Sequence, residues 1–263
     1  MRRASPGFSR RGCSAECGSA WLAFRRSGPL SQGYPSARCP PNRVSARAAS
    51  IVGMASGPRP DLYVSADIET DGPIPGPYSM LAFGLAVAGT FDGTRFWRAD
   101  PSQSTFYREL KPISDEFEQE ALDVNQLNRS RLELTGLDPT TAMVQAADWL
   151  DAISAENRLV LVAYPVAFDW AFLYWYFVRF AKRSPFGYSS CLDIRTLYQA
   201  RARTTHDRSG KKDMPASLLP TRPHTHNALD DAVEQAELFS NVFEWVLDDG
   251  ASRERVAHVA GLR

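Results

Sequence analysis

The sequence predicts an α/β domain built on a mixed β-sheet, and three observations carry that expectation. From residue 61 onward strand-like and helix-like segments alternate, which excludes an all-helical bundle. Leu159-Val160-Leu161-Val162-Ala163 is a continuous apolar run, as expected of a central strand buried on both faces. Leu62 to Ala66, Leu81 to Val87, and Thr94 to Arg98 with Thr105 to Leu110 lie close enough in sequence to pair as an antiparallel meander.

The remaining elements follow in order. Asp115 to Asn125 and Thr140 to Ile153 have helical patterning, the second introduced by Asp138-Pro139-Thr140, a good helix entry. After the apolar strand a helix is expected from about Phe168 to Lys182, holding Trp170, Phe172, Tyr174, Trp175, Tyr176, Phe177 and Phe180. Such aromatic density suits base stacking, but a helix apolar on nearly all sides is ordinarily buried, so core packing is expected. Leu192-Asp193-Ile194 reads as a short strand leading into a helix at Thr196 to Ala202. Arg203 to Thr225 is an irregular basic loop with Arg208, Lys211, Lys212 and Arg222, open to two readings: a phosphate-facing lid or a solvated surface loop. A last helix runs from about Ala228 to Leu247.

Charge divides the chain. The 263 residues carry no formal net charge, yet residues 1–53 hold nine Arg and one Glu, leaving −8 for the rest. That Arg-, Ser- and Pro-rich segment cannot bury enough apolar surface to offset its ordering entropy, so 1–53 is expected to be disordered. It fits a transit peptide, a basic nucleic-acid tail, or translated sequence upstream of a start at Met54, and the start-like Met54-Ala55-Ser56-Gly57 favours the last. The folded domain is expected over 61–250, with 251–263 as a C-terminal tail. Cys13, Cys17 and Cys39 lie in the basic segment without partners for a zinc site, and Cys191 stands alone, which fits a reducing, cytoplasmic setting. The longest apolar stretch, Phe168 to Ala181, is interrupted by Asp169 and Arg179 and is too short to span a bilayer, so no membrane partner is expected.

Chemistry concentrates at three places. Asp67 and Glu69, at i and i+2 on a strand, point to one face. Two adjacent carboxylates stay ionised together when a cation lies between them, and an all-oxygen site favours Mg²⁺ or Mn²⁺; a solvated strand end is the plainer alternative. Asp169 is an isolated acid among aromatics, costly to bury unless it is paired, protonated or near a metal, although a helix N-cap would also account for it. In Thr225-His226-Asn227-Ala228-Leu229-Asp230-Asp231, Asn227 is a natural N-cap and Asp230 is placed to reach back in a capping box. Asp231 then faces inward as the better ligand, with His226 beside it as the group suited to take a proton near neutral pH. His224 is set aside.

These motifs, Asp67-Ile68-Glu69-Thr70, Phe168-Asp169 and His226-Asn227-Ala228-Leu229-Asp230-Asp231, resemble in order and context the DEDD-type 3′→5′ exonucleases of the His-x4-Asp subclass, which includes ribonuclease T, oligoribonuclease and the polymerase III epsilon subunit. The resemblance covers about residues 61–247. One departure is Pro165, where many relatives carry Asn four residues before the middle Asp. The resemblance implies a ribonuclease H-like fold, a mixed central sheet flanked by helices, and two divalent ions, Mg²⁺ or Mn²⁺. Asp67, Glu69 and Asp231 would bind metal directly, Asp169 largely through water, and His226 would deprotonate the attacking water. The implied substrate is single-stranded nucleic acid, RNA or DNA, shortened from its 3′ end to 5′-nucleotides. Some relatives are homodimers, and that state is left open here. Rival readings are a catalytically silent nucleic-acid-binding module and a phosphodiesterase acting on small nucleotides. Tyr78 and Phe83 are candidate base-stacking residues, with Phe83 expected in the core.

Overall fold

A computed structural model describes residues 59–248, so the expected disordered segment 1–53 and the tail 251–263 lie outside the described residues. In chain order the elements are β1 (Asp61–Thr70), β2 (Met80–Phe91), β3 (Phe96–Arg98), β4 (Thr105–Glu109), α1 (Gln119–Asn125), α2 (Arg129–Thr135), α3 (Pro139–Ser154), β5 (Arg158–Ala163), α4 (Val166–Tyr176), β6 (Cys191–Asp193), α5 (Ile194–Ala202) and α6 (Ala228–Leu247). The sheet runs β3-β2-β1-β5-β6, and β4 pairs a second stretch of β2. β1 to β4 pair antiparallel, as the short connections predict, whereas β1-β5 and β5-β6 are parallel.

The two faces of the sheet bury different material. Alternation along β1 sends Leu62, Val64, Ala66 and Ile68 into a core with Leu150 of α3 and Phe172 of α4. Tyr63 enters a second core with Tyr198 of α5 and Phe239 and Phe243 of α6. By the same alternation Asp67 and Glu69 lie on the α6 face. β5, apolar after Arg158, serves both cores through Leu161 and Val162. Helix entries follow the capping expectations: Asp138 accepts from the Thr141 N–H, and Asn227 from those of Leu229 and Asp230.

Three local outcomes differ from the sequence expectation. α4 begins at Val166 with Pro165 as its N-cap, so Asp169 is not the cap. Its regular turns end at Tyr176 and continue as a π-helical stretch, Phe177–Ala181, closed by Lys182 in the left-handed conformation. α2 lies in a stretch where no helix was expected; Asn128 caps it by accepting from the Arg131 N–H. Among the described residues, no helix is long and apolar enough to cross a membrane.

Candidate active site

β1 presents Asp67 and Glu69 at its carboxyl end. Its parallel neighbour β5 ends nearby at Ala163, and the turn through Tyr164-Pro165 starts α4, placing buried Asp169 in that helix's first turn. α6 supplies the third side. Gly84 of β2 lies opposite Asp67, and a Cβ there would collide with the backbone of Ala228. This glycine therefore lets the first turn of α6 rest on the strand and brings Asp231 over the sheet.

Asp67, Glu69 and Asp231 each offer an oxygen, all within 4.8 Å of one another. Asp169 lies close enough to act on the charge of both β1 acids but outside that triplet. Burial, then the charges of Asp169, Glu69 and Asp231, push the Asp67 carboxyl well above the usual range, with Lys211 opposing. Burial and the charges of Asp231 and Asp169 push Glu69 up to about 8. Burial raises Asp169 to about 7, against backbone N–H groups of Asp169 and Ile68. Carboxylates this crowded and dry do not all stay ionised unaided. An all-oxygen set of that kind fits a hard divalent cation.

Asp231 is held by the loop before its own helix. Its Oδ1 accepts from the Thr225 N–H at 2.8 Å and its Oδ2 from the His226 N–H at 2.8 Å. This reverses the expected division of labour: Asp231 reaches back, while Asp230 is exposed and its carboxylate takes no hydrogen bond among the described residues. The tight loop puts His226 at φ +58, a left-handed conformation uncommon for a residue other than glycine. His224, set aside on spacing, has Nδ1 3.2 Å from Asp231 Oδ2, and its ring packs edge-on to that of His226. Both imidazoles therefore stand at the acid cluster, both exposed.

Two residues of α6, Gln235 and Glu234, escaped the sequence analysis. Buried Gln235 donates Nε2–H to Asp67 Oδ1 at 2.6 Å, and its Oε1 accepts from the Tyr164 N–H at 2.6 Å. The signal was its i+4 position after Asp231, which puts both on one helix face. Lys211 donates to both oxygens of Glu234 at 2.8 Å, pinning the basic loop to α6. Arg222 lies 3.7 Å from Glu237, so two of the loop's four named cations are paired with α6 acids. Phe83 is fully buried, as expected, and Tyr78 is half-buried with its ring over Gly72.

Similarity to known proteins agrees with this geometry. Residues 90–243 match the family described as 3′-5′ exoribonuclease Rv2179c-like domain. The chain is 37% identical over 180 residues to Cap18 of Escherichia coli, a 3′-5′ DNA exonuclease, covering 68% of this chain and 90% of that one. Among solved structures, the nuclease domain of 3′hExo, described as a DEDDh family member bound to rAMP, aligns with TM-score 0.51 at 12% identity over 70% of this chain and 92% of that one. Cell-death related nuclease 4 aligns with TM-score 0.51 at 16% identity, over 70% of this chain and 64% of that one. At such identities the structural matches speak for the fold, which is ribonuclease H-like.

Proposed function

Because the chain belongs to the 3′-5′ exoribonuclease Rv2179c-like family of DEDD-type 3′-5′ exonucleases, we propose that Asp67, Glu69, Asp169 and Asp231 form its catalytic metal site, filled by Mg²⁺ or Mn²⁺. The substrate in this reading is a single strand of RNA or DNA, hydrolysed from its 3′ end to 5′-nucleotides. The observation that carries it is the triplet of Asp67, Glu69 and Asp231 oxygens within 4.8 Å, with buried Asp169 alongside.

Divalent ions bound here would supply Lewis-acid stabilisation of charge on the attacking and leaving oxygens. The chain's own residues would do the rest. Asp67, Glu69 and Asp231 would hold the ions directly, and Asp169 through water. Gln235 restrains the Asp67 carboxylate through its Oδ1. His226, on the exposed rim, takes the proton of the attacking water. The 3.2 Å contact of His224 with Asp231 favours a second assignment, in which His224 is the base and His226 shapes the loop. Cys191, half-buried and without a disulfide partner among the described residues, suits a reducing cytoplasmic setting.

The family description names RNA and the Escherichia coli relative DNA, so the sugar must be tested directly. A time course on 5′-labelled single-stranded RNA and DNA of one sequence, with Mg²⁺ or Mn²⁺ and beside Asp67→Ala, does so. A metal-dependent ladder shortening from the 3′ end and absent in the variant is expected. No ladder on either polymer with folded protein would overturn the catalytic reading.

A further inference from the structure

The aromatic helix is not wholly core. Phe172, Leu173, Tyr176 and Phe177 are buried. On the opposite side Trp170, Tyr174, Trp175 and Val178, with Arg179 and Lys182, line an open cleft of about 480 Å³. Trp170 and Tyr174 stack with centroids 5.0 Å apart and planes at 23°. Trp175 is set edge-on against Tyr176 and Phe180. No carboxylate lines the cleft. Neighbouring Arg183 is paired with Asp148 and Asp151, but Arg179 and Lys182 are exposed and form no ion pair among the described residues.

We propose that this cleft binds single-stranded nucleic acid upstream of the 3′ end being cut. Flat aromatic faces beside unpaired cations match the two features every single strand offers, bases to stack and phosphates to neutralise. Position supports the same occupant. The cleft abuts the β1–β2 connection: a Cβ on Gly76 would lie 3.8 Å from Trp175 Cζ2. That connection leaves β1 just after Glu69. A second copy of the chain docked symmetrically would bring this face against itself and set four unpaired cations together, which disfavours it.

The inference rests on the exonuclease reading, and its test separates the two. Arg179→Ala/Lys182→Ala removes both cations, together with the Lys182 Nζ bond to the Arg179 carbonyl and the packing of Arg179 over Phe180; Tyr174→Ala removes a stacking face, and each variant is used if its melting temperature matches the native chain. In EDTA, where no turnover occurs, a 5′-fluorescent dodecamer is titrated by anisotropy at several salt concentrations. Both variants should bind about tenfold more weakly, and the double variant should flatten the log Kd against log salt slope by about 1.4, at about 0.7 per lost phosphate contact. With Mg²⁺, KM for the dodecamer should rise similarly while dinucleotide turnover stays unchanged. Unaltered dodecamer binding in both variants, no dodecamer binding by the native chain, or equal loss on both lengths would overturn the proposal. So would a change of sedimentation state with dodecamer affinity intact, which assigns the face to a second copy. Native binding in EDTA that the variants weaken, without turnover on any substrate, would uphold the cleft and sink the catalytic reading instead.

Discussion

The acids and the histidines of this site are held in opposite ways. Asp67, Glu69, Asp169 and Asp231 project from strand and helix backbones into a dry crevice, and Asp67 and Asp231 are further fixed by Gln235 and by two loop N–H groups. His224 and His226 sit on an exposed loop in which Asp231 gathers the backbone and leaves the rings at the rim. The difference teaches what each part must do. Groups that position a cation need to be preorganised, because small displacements change every ligand distance. A group that exchanges a proton with water needs access to water.

The comparison can be broken from the acid side first. Asp67→Ala should lower kcat at least about a thousandfold, read from single-turnover cleavage of a labelled oligonucleotide, because it removes a charge no neighbour replaces. On the histidine side, His226→Ala should lower kcat by about a hundredfold or more with KM little changed, and His224→Ala by about tenfold or less. Reversal of that order would move the base to His224; equal kcat in His226→Ala and the native chain would end its role. Gln235→Leu removes the only side-chain hydrogen bond that Asp67 accepts among the described residues and should raise the Mg²⁺ needed for half-maximal activity about tenfold, while melting shifts little. An unchanged metal requirement would show that Asp67 is fixed by its strand alone.

The last two effects are read in stability. Gly84→Ala should lift the start of α6 from β2, costing about 1–3 kcal/mol in urea unfolding and displacing Asp231. Metal and pH should act together. Burial raises Glu69 to about 8 and Asp169 to about 7, so without metal the folded state binds more protons than the unfolded state between about pH 4 and pH 8. Its stability is then greatest below the unfolded carboxylate pKa and falls as pH rises through those values. Added Mg²⁺ competes with those protons, so it should raise the melting temperature by more at pH 8 than at pH 5. An equal rise at both pH values would place the cation elsewhere.

Elements set by local pattern were legible in the sequence. Capping at Asp138 and Asn227, alternation in β1 and the apolar run of β5 rest on neighbours within a few residues, and those elements fall where expected, within a residue or so at their ends. The carboxylates proposed to hold metal stood out in the sequence too, because like charges at i and i+2 and a lone acid among aromatics are anomalies along the chain itself. α2 and the π-helical end of α4 were not: beyond its local Asn128 cap, α2 is held by ion pairs of Arg129 with Asp71 and Arg131 with Glu109, and the π-helical turn packs against α3.

What the sequence determined by itself is therefore the identity of the acids and the type of element carrying each. What only the tertiary structure decided is which groups meet. Gln235 reaches Asp67 across 168 residues of chain. Asp231, not Asp230, gathers the loop, and His224 returns to the site. Half of an aromatic helix faces water. The physical reason is that periodicity fixes the direction of a side chain relative to its own backbone, whereas a hydrogen bond also needs the placement of a second backbone, set for Asp231 and Gln235 by the approach of α6 to Gly84.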